Sequence, residues 1–343
     1  QPIIRGMSGP RVKILKNGVV NRDVSGLGVD HLNDVDLHDI SQVEIVKGPS
    51  SLLYANGTIG GIINIVDDCI SALNYELPEI SVGYETQSVN DGNSENFNFK
   101  NNINGFNVNF GYKNIDFGNY DIPSGAILHE EEDHDDHDED EHHDEDMGFL
   151  NNSDYAVEAT KFGISKVGDW GYVGFSVDNL ESVYGIPFHG DEHGDEEEHD
   201  EHGEERIFST TDSESFTIKG SYNINGSLIN KIDFNYRDSD YSLTEDHEEE
   251  EHHEEEEHDE EEEHEEHAPT VFMNEAVEYG ATFDISNDSS TQKVVVNFVD
   301  EDNSIVGEEA FMNPANSEEF TIGYYLSKDL GTCLLYTSDA ADD

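Results

Sequence analysis

The stretch of sequence that decides the fold of the first part of the chain is Val43-Glu-Ile-Val-Lys-Gly-Pro-Ser-Ser-Leu-Leu-Tyr-Ala-Asn-Gly-Thr-Ile-Gly-Gly-Ile-Ile-Asn-Ile65. Its two ends are short apolar runs, and glycines and one proline punctuate the residues between them. A similar apolar run lies upstream at Val12–Leu15. Short apolar runs bounded by glycine and proline are typical of short strands joined by tight turns. We therefore expect residues 1–70 to form a compact α+β domain.

From Glu79 onward the pattern changes to alternating apolar and polar residues, which is typical of strands with one apolar face. The alternating segments are Ile80–Tyr84, Phe97–Phe99, Phe106–Tyr112, Phe162–Ile164, Tyr172–Val177, Phe216–Tyr222, Ile232–Tyr236, Val294–Phe298 and Phe320–Tyr324. About ten antiparallel strands are therefore expected over residues 79–332, with residues 71–78 as a linker.

The connections between these segments are alternately short and long. Short ones are expected near 103–105, 166–169, 224–227 and 286–290, and long or very polar ones at 87–95, 114–154, 185–213, 244–274 and 300–316. Successive connections of neighbouring antiparallel strands lie at opposite ends of a sheet, so all the long ones should share one end. Outer-membrane barrels have short periplasmic turns and long extracellular loops. The pattern therefore favours a transmembrane β-barrel over a soluble β-sandwich.

The charge of the chain is concentrated in three acidic runs at 129–146, 191–205 and 245–267. The chain has a formal net charge of -64, and these runs hold 40 of its 80 acidic residues and no lysine or arginine. They also hold 14 of the 17 histidines, and His189 lies just before the second run. Nucleic acid is excluded as a partner because its phosphates would be repelled. Cations are the partners that this composition favours.

Neither end of the sequence has the character of a native terminus. Gln1 is preceded by no initiator methionine or apolar leader, so we expect a signal peptide to lie upstream. Residues 333–343 break the strand pattern and resemble a translated sequencing adapter, so we expect them not to be native. Cys69 is then the single remaining cysteine, and one cysteine makes neither a disulfide framework nor a thiolate metal site.

Two parts of the first domain resemble the plug domain of TonB-dependent outer-membrane receptors. They are Pro2-Ile-Ile-Arg-Gly6 with the following Ser8–Leu15, and the stretch 43–65 quoted above. The resemblance implies a plug at 1–70 inside a 22-stranded barrel, of which the ten strands would be an incomplete part. It also implies a monomeric barrel in the outer-membrane lipid of a Gram-negative bacterium. The inner-membrane TonB complex would be the partner that supplies the energy.

Within that family, two elements resemble the zinc-importing, ZnuD-like branch with its histidine-rich external loops. They are Gly28-Val-Asp30-His31 and Gly118-Asn-Tyr-Asp-Ile-Pro123. In the first element, Gly28 and Val29 replace the serine and proline of the branch, which leaves both possible ligands in place. The resemblance implies that zinc is the imported cargo and that Asp30 and His31 bind it in the plug.

The chemistry of these residues suits zinc, since carboxylate oxygen and imidazole nitrogen are both zinc ligands. His38, beside three aspartates, is a second plug candidate. The alternative for the plug residues is a polar loop without a metal. The remaining candidate ligands lie in or beside the acidic runs, and they are His129, His134, His137, His142, His143, His189, His193, His199, His202, His247, His252, His253, His258, His264 and His267.

The acidic runs have two compatible interpretations. Blocks of like charge are usually solvated, disordered tracts, whereas interspersed imidazoles add affinity for zinc, copper or nickel. The functional alternatives are therefore a receptor for copper, nickel or a metal chelate, and a surface metal buffer that transports nothing. The chain has no HExxH, G-x-S-x-G or P-loop lysine motif, so neither an enzyme nor a catalytic cofactor is expected.

A pH titration tests metal capture by the runs. Zinc binds neutral imidazole, and an unperturbed histidine has a pKa near 6.5. We expect a peptide of residues 245–267 to bind Zn²⁺ at pH 7 and to lose roughly tenfold or more in affinity by pH 5. Isothermal titration calorimetry checks this, with a peptide carrying asparagine in place of each histidine as the control. Undiminished binding at pH 5 would contradict histidine capture.

Overall fold

The computed structural model describes residues 2–24, 31–33, 35, 37, 39–54, 58–126, 148–187, 206–224, 226, 228–248, 268–307 and 310–328. These residues form a four-stranded sheet, a ten-stranded sheet and a separate two-stranded pair. Helical structure in the described ranges is limited to two 3₁₀ helices, Gly9–Arg11 and Pro49–Leu53. Neither has the length or the apolar character needed to cross a membrane.

The four-stranded sheet forms the N-terminal domain. Its strands are β1 (Val12–Lys16), β2 (Val19–Val20), β3 (Ile40–Val46) and β4 (Gly61–Asp67). Their order across the sheet is β2-β1-β4-β3. The central pair β1 and β4 is parallel, and the two outer pairs are antiparallel.

The quoted stretch 43–65 supplies both β3 and β4, and its glycines allow the two strands to meet. Leu15 and Ile62 are fully buried in the core of this domain. Gly61 has a φ of 140°, and a Cβ at this position would lie 3.0 Å from the carbonyl oxygen of Val46. Since L side chains rarely adopt that φ, glycine is required where β4 begins.

The ten-stranded sheet follows from residue 79. Its strands are β5 (Glu79–Gln87), β6 (Gly92–Ile103), β7 (Phe106–Phe117), β10 (Tyr155–Gly168), β11 (Gly171–Gly185), β12 (Arg206–Asn223), β13 (Lys231–Glu248), β14 (Thr270–Asp284), β15 (Ser290–Val306) and β16 (Ala315–Lys328). The small strands β8 (Tyr120–Asp121) and β9 (Phe149–Leu150) pair with each other. Each strand of the large sheet is antiparallel to its neighbours in chain order, as predicted.

The connections divide between the two ends of this sheet as the sequence predicts. At one end they span 104–105, 169–170, 224–230 and 285–289, and at the other 88–91, 118–154, 186–205, 249–269 and 307–314. The second end is called the long-connection end below. All three acidic runs connect strands at this end.

The strands extend further than predicted, so the loop bounds 114–154, 185–213 and 244–274 are too wide. β7 continues to Phe117, β12 begins at Arg206, and β13 and β14 extend to Glu248 and Thr270. In the added residues, such as Thr210–Ser215, both faces of the strand are polar. Backbone pairing continues there without the apolar alternation by which strands are recognised in a sequence.

The two faces of the large sheet have opposite polarity. On β11, Ser176 and Asp178 lie on the inner face, which contacts the N-terminal domain. Phe175 and Val177, which alternate with them, lie on the outer face and are 41% and 47% exposed. Apolar residues outside and polar residues inside are the reverse of a soluble sheet and match a transmembrane barrel.

A row of aromatic rings crosses the outer face from β11 to β15. Ring centroids lie 6.2 Å apart for Phe175 and Phe216, 6.3 Å for Phe216 and Tyr236, 5.1 Å for Tyr236 and Tyr279, and 6.3 Å for Tyr279 and Phe298. Contacts of this kind contribute about 0.5–1.5 kcal/mol each beyond their buried area. The row therefore joins neighbouring strands on the face that none of the described residues outside the sheet covers as a domain.

The polarity of the two faces predicts different effects of a charge on adjacent residues of β16. Ile322→Arg on the outer face should make folding into a bilayer less favourable by about 2–4 kcal/mol. Thr321→Arg, on the inner face, is the matched control and should cost much less. Urea titration of the protein refolded in lipid vesicles measures both, and equal costs would contradict the assignment of the faces.

Candidate functional site

The N-terminal domain reaches the inner face of the sheet through an apolar cluster at the long-connection end. Val24 of the domain packs there among side chains from the ends of five barrel strands and the adjoining connections. The buried members of the cluster are Val24, Tyr184, Ile186, Ile207, Tyr241, Leu243, Phe272 and Ile305. This contact places Val24 beside the strand ends that the connections with the acidic runs join.

His31 lies in this contact region and is buried, with 7% of its surface exposed. Its ring packs edge-on against Phe272, with centroids 5.3 Å apart and an interplanar angle of 69°. The backbone N–H of the next residue, Leu32, donates a hydrogen bond to the hydroxyl of Tyr184 at 3.4 Å. Two barrel aromatics thus position the imidazole and the backbone next to it.

A cavity of about 470 Å³ lies between the domain and strands β14–β16, next to this region. Its apolar wall includes Val24, Phe272 and Met312, and its polar wall includes Asn33 and Asn274. A mixed wall of this kind is typical of a ligand pocket, in which apolar surface gives volume and a few polar groups give orientation.

The polar wall of the cavity is joined to the domain by ion pairs. Arg22 lies 2.8 Å from a carboxylate oxygen of Glu278 and 3.6 Å from one of Glu301. The side chain of Asn274 donates to Glu301 at 2.6 Å and to Asn303 at 2.7 Å. These bonds hold Glu278 of β14 and Glu301 of β15 in fixed positions, and Glu301 lines the cavity.

The predicted ligands are placed only in part. His31 is described, and the backbone of His247 pairs with that of Ile207 near the end of β13. The other predicted ligands lie outside the described residues: Asp30, His38, His129, His134, His137, His142, His143, His189, His193, His199, His202, His252, His253, His258, His264 and His267. In the described part of the chain, no group of three or more His, Cys, Asp or Glu side chains is arranged to hold a metal.

The structure adds charged residues that the sequence reasoning missed. Lys16 lies 2.6 Å from Asp178 of β11, and Lys100 of β6 lies 2.9 Å from Asp39. Burial acts to lower the pKa of Lys16, but the carboxylates of Asp178 and Asp67 outweigh it and raise that pKa above its ordinary value. No sharp signal in the sequence pointed to these pairs, because polar and charged residues are ordinary at inward positions of a barrel strand.

A similar balance of burial and nearby charge sets the pKa of Asp67 at the end of β4. Burial acts to raise the pKa of Asp67, whereas Lys16, Lys161 and hydrogen bonds from Asn17 and the Cys69 N–H lower it, with a net lowering. A lowered folded-state pKa stabilises the fold above the unfolded pKa, and this stabilisation is lost as pH falls through the folded-state value. Asp67 therefore contributes stability at neutral pH that is lost on acidification.

Comparisons with known proteins agree with the resemblance seen in the sequence. Residues 1–62 match the family described as the TonB-dependent Receptor Plug Domain. A hemin receptor of Yersinia enterocolitica is 34% identical over 88 residues, and the vitamin B12 transporter BtuB of Vibrio vulnificus (strain CMCP6) is 28% identical over 85 residues. These alignments cover 25% and 24% of this chain but only 12% and 14% of the two relatives.

The fold is similar to solved structures over almost the whole chain. The FrpB iron transporter from Neisseria meningitidis (F3-3 variant) has a TM-score of 0.59 at 14% identity, and the copper transporter OprC has 0.61 at 11%. The alignments with FrpB and OprC cover 90% and 94% of this chain and 43% of each of the two solved structures. These identities show a common fold and leave the cargo of this chain open.

Removal of Arg22 tests the ion pairs under the cavity. Arg22→Met leaves the buried carboxylate of Glu278 without its direct ion-pair partner, so we expect a loss of about 3 kcal/mol in the free energy of unfolding. Arg206→Met is the matched control, because the Arg206–Asp154 pair is partly exposed and should be worth about 1 kcal/mol or less. Guanidinium unfolding of the detergent-solubilised protein, followed by circular dichroism, measures both. Similar losses in the two variants would contradict the assigned role.

Proposed function

We propose that this protein imports zinc across the outer membrane of a Gram-negative bacterium. The proposal builds on the match to the TonB-dependent receptor plug domain and on a sheet with the fold of the receptor barrels. The three acidic runs gather the ion outside the cell. Asp30 and His31 in the plug receive it, and movement of the plug admits it to the periplasm. The energy for that movement comes from the TonB complex.

The observation that carries the proposal is the placement of the runs relative to the plug loop. All three runs connect strands at the long-connection end, and His31 contacts Phe272 near the same end of β14. Ions concentrated by the runs are therefore released close to the plug loop. Dense carboxylates raise the local concentration of divalent cations, and screening limits this effect to about 8 Å from each charge at physiological ionic strength.

Zinc is favoured by the donor atoms of this chain. Imidazole and carboxylate together suit zinc better than calcium or magnesium, which prefer oxygen ligands alone. Burial of His31 against Phe272 restricts the orientation of its ring, which lowers the entropic cost of ligation. The described part of the plug loop supplies one nitrogen donor, so further ligands would come from Asp30 and from barrel residues.

The main alternative is a different cargo in the same kind of receptor. The related proteins are described as receptors or transporters of hemin, vitamin B12, iron and copper, so the fold accommodates many ligands. Copper, nickel or a metal chelate would enter through the same end of the sheet. A second alternative is a surface metal buffer without transport, and the plug domain favours the receptor over it.

Uptake of radioactive zinc by cells separates these alternatives. The intact gene containing this chain, expressed in a strain that lacks its own zinc receptor, should restore uptake. The double variant Asp30→Ala/His31→Ala should lower uptake roughly tenfold or more, as removal of metal-site residues usually does. Ser41→Ala, an exposed change on β3, is the control and should behave as the parent.

Two further arms of this experiment decide cargo and class. Replacing the histidines of the three runs with asparagine should reduce uptake at limiting zinc and leave it unchanged at high zinc, because the runs only concentrate the ion. If the cells take up nickel or copper but not zinc, the cargo is a different metal. Metal accumulation that persists after deletion of the TonB partner would identify a buffer and overturn the import proposal.

A further inference from the structure

The outer face of the large sheet changes its polarity part of the way along the strands. Residues paired directly on neighbouring strands form rows across the sheet, and successive outward rows are two residues apart along each strand. One outward row, the apolar row, consists of Phe175, Ile218, Tyr236, Tyr279, Phe298 and Phe320. The outward row two steps nearer the long-connection end, the polar row, consists of Asn179, Glu214, Asp240, Glu275, Asp302 and Asn316.

The outward row between these two is mixed and marks the transition. This mixed row consists of Val177, Phe216, Asp238, Val277, Asp300 and Glu318. On the other side of the apolar row, the two outward rows that lead to the short connections carry no charge on β11 to β16. Their large members are Val173, Phe234, Val296 and Ile322 in one row, and Tyr222, Ile232, Phe283, Val294 and Tyr324 in the other. The apolar surface therefore runs from the short connections to the mixed row and ends there.

The polar row is incompatible with a hydrocarbon environment. Its four carboxylates lie on adjacent strands, each directly opposite the next, and all four side chains are exposed. Like charges directly opposite each other destabilise a sheet, and their repulsion increases as the dielectric constant of the surroundings falls. The next outward row adds Glu158, Glu181 and Asp212. Carboxylates placed in this way require water around them.

The lengths of the strands indicate the same boundary independently of charge. A transmembrane β-strand needs about 9–11 residues, whereas β12 and β13 have 18 residues each and β15 has 17. Roughly seven residues of each of these strands must therefore lie outside the hydrocarbon. The apolar surface reaches the short connections, since Tyr222 is followed in β12 only by Asn223. The excess length therefore lies at the long-connection end.

Aromatic and basic side chains mark the other boundary, at the short connections. The rings of Trp170 and Tyr222 lie 6.4 Å apart, and the Lys166 ammonium lies 4.6 Å from the ring centroid of Phe106. Transmembrane barrels carry aromatic residues at their membrane interfaces, and a lysine there keeps its charge in water while its methylenes cover apolar surface. The apolar surface thus has an interfacial boundary at the short connections and an acidic boundary at the mixed row.

We propose that membrane hydrocarbon covers the outer face only from the short connections to the mixed row, and that the strands beyond it form an acidic collar outside the membrane. The acidic collar comprises the outward residues of the polar row and of the rows nearer the long-connection end. Lipid chains are the partner of the apolar surface, and water surrounds the collar. This placement rests on the fold and the outer-membrane location and is independent of the cargo.

The collar separates the acidic runs from the membrane surface. On β13, the residues from Ser239 to Glu248 lie beyond the mixed row, and they extend about 33 Å along the strand. At physiological ionic strength, charges are screened over about 8 Å. The charges of the connection at 249–269 and those of the lipid head groups therefore have little effect on each other.

Spin labels test the position of the boundary, using the intact receptor reconstituted in phosphatidylcholine vesicles. Single cysteines replace Ile218 or Phe298 in the apolar row and Asp212 or Asp302 in the collar, and the parent, whose Cys69 is buried, controls for background labelling. Oxygen, which concentrates in hydrocarbon, should relax the labels of the apolar row more strongly than a water-soluble nickel chelate does. The order should reverse for the labels of the collar. Collar labels that respond mainly to oxygen would overturn the proposal.

Two charge substitutions on β12 give a second measurement that needs no label. Ile218→Arg places a charge within the hydrocarbon, so the urea midpoint for unfolding from the vesicles should fall. Asp212→Arg is the matched control, on the same face of the same strand, and should leave the midpoint unchanged because the collar lies in water. Equal midpoints in the two variants, whether lowered or unchanged, would contradict a boundary between these positions and overturn the proposal.

Discussion

The obligation to pair every backbone amide within the sheet determines most of this structure. In a hydrocarbon environment an unpaired N–H or C=O has no water to bond with, so each strand must hydrogen-bond to a neighbour along its length. Side chains then alternate strictly between the two faces. Phe175 and Val177 must face outward if Ser176 and Asp178 face inward, and the polarity of the whole molecule follows from this alternation.

The inward residues give the plug a surface held mainly by charges and hydrogen bonds. Lys16 with Asp178, Arg22 with Glu278 and Asp39 with Lys100 join the plug to strands on different parts of the sheet. The apolar contact is concentrated at the long-connection end, around Phe272. An interface of this kind can separate with little exposure of apolar surface, because water replaces the lost hydrogen bonds of the polar groups.

The fold could be predicted from the sequence because alternation and turn spacing are local signals. The glycines around Gly61 predicted the strand pair of the plug, and the unequal connections predicted which end carries the acidic runs. The predicted strand ends were wrong where residues such as Thr210–Ser215 are polar on both faces of the strand. The burial of His31 against Phe272 and the pairing of Arg22 with Glu278 depend on contacts between distant segments, which no local pattern encodes. The zinc cargo stays a prediction.

The unequal connections also bear on how this protein can change over evolutionary time. Two-residue turns such as 104–105 hold the register of neighbouring strands, and an insertion there would shift a side-chain pattern on which both faces depend. At the opposite end, a closed loop costs only about 0.6 kcal/mol more for each doubling of its length. The acidic runs can therefore lengthen, shorten or exchange histidine for acid between lineages while the strands beneath them keep their register.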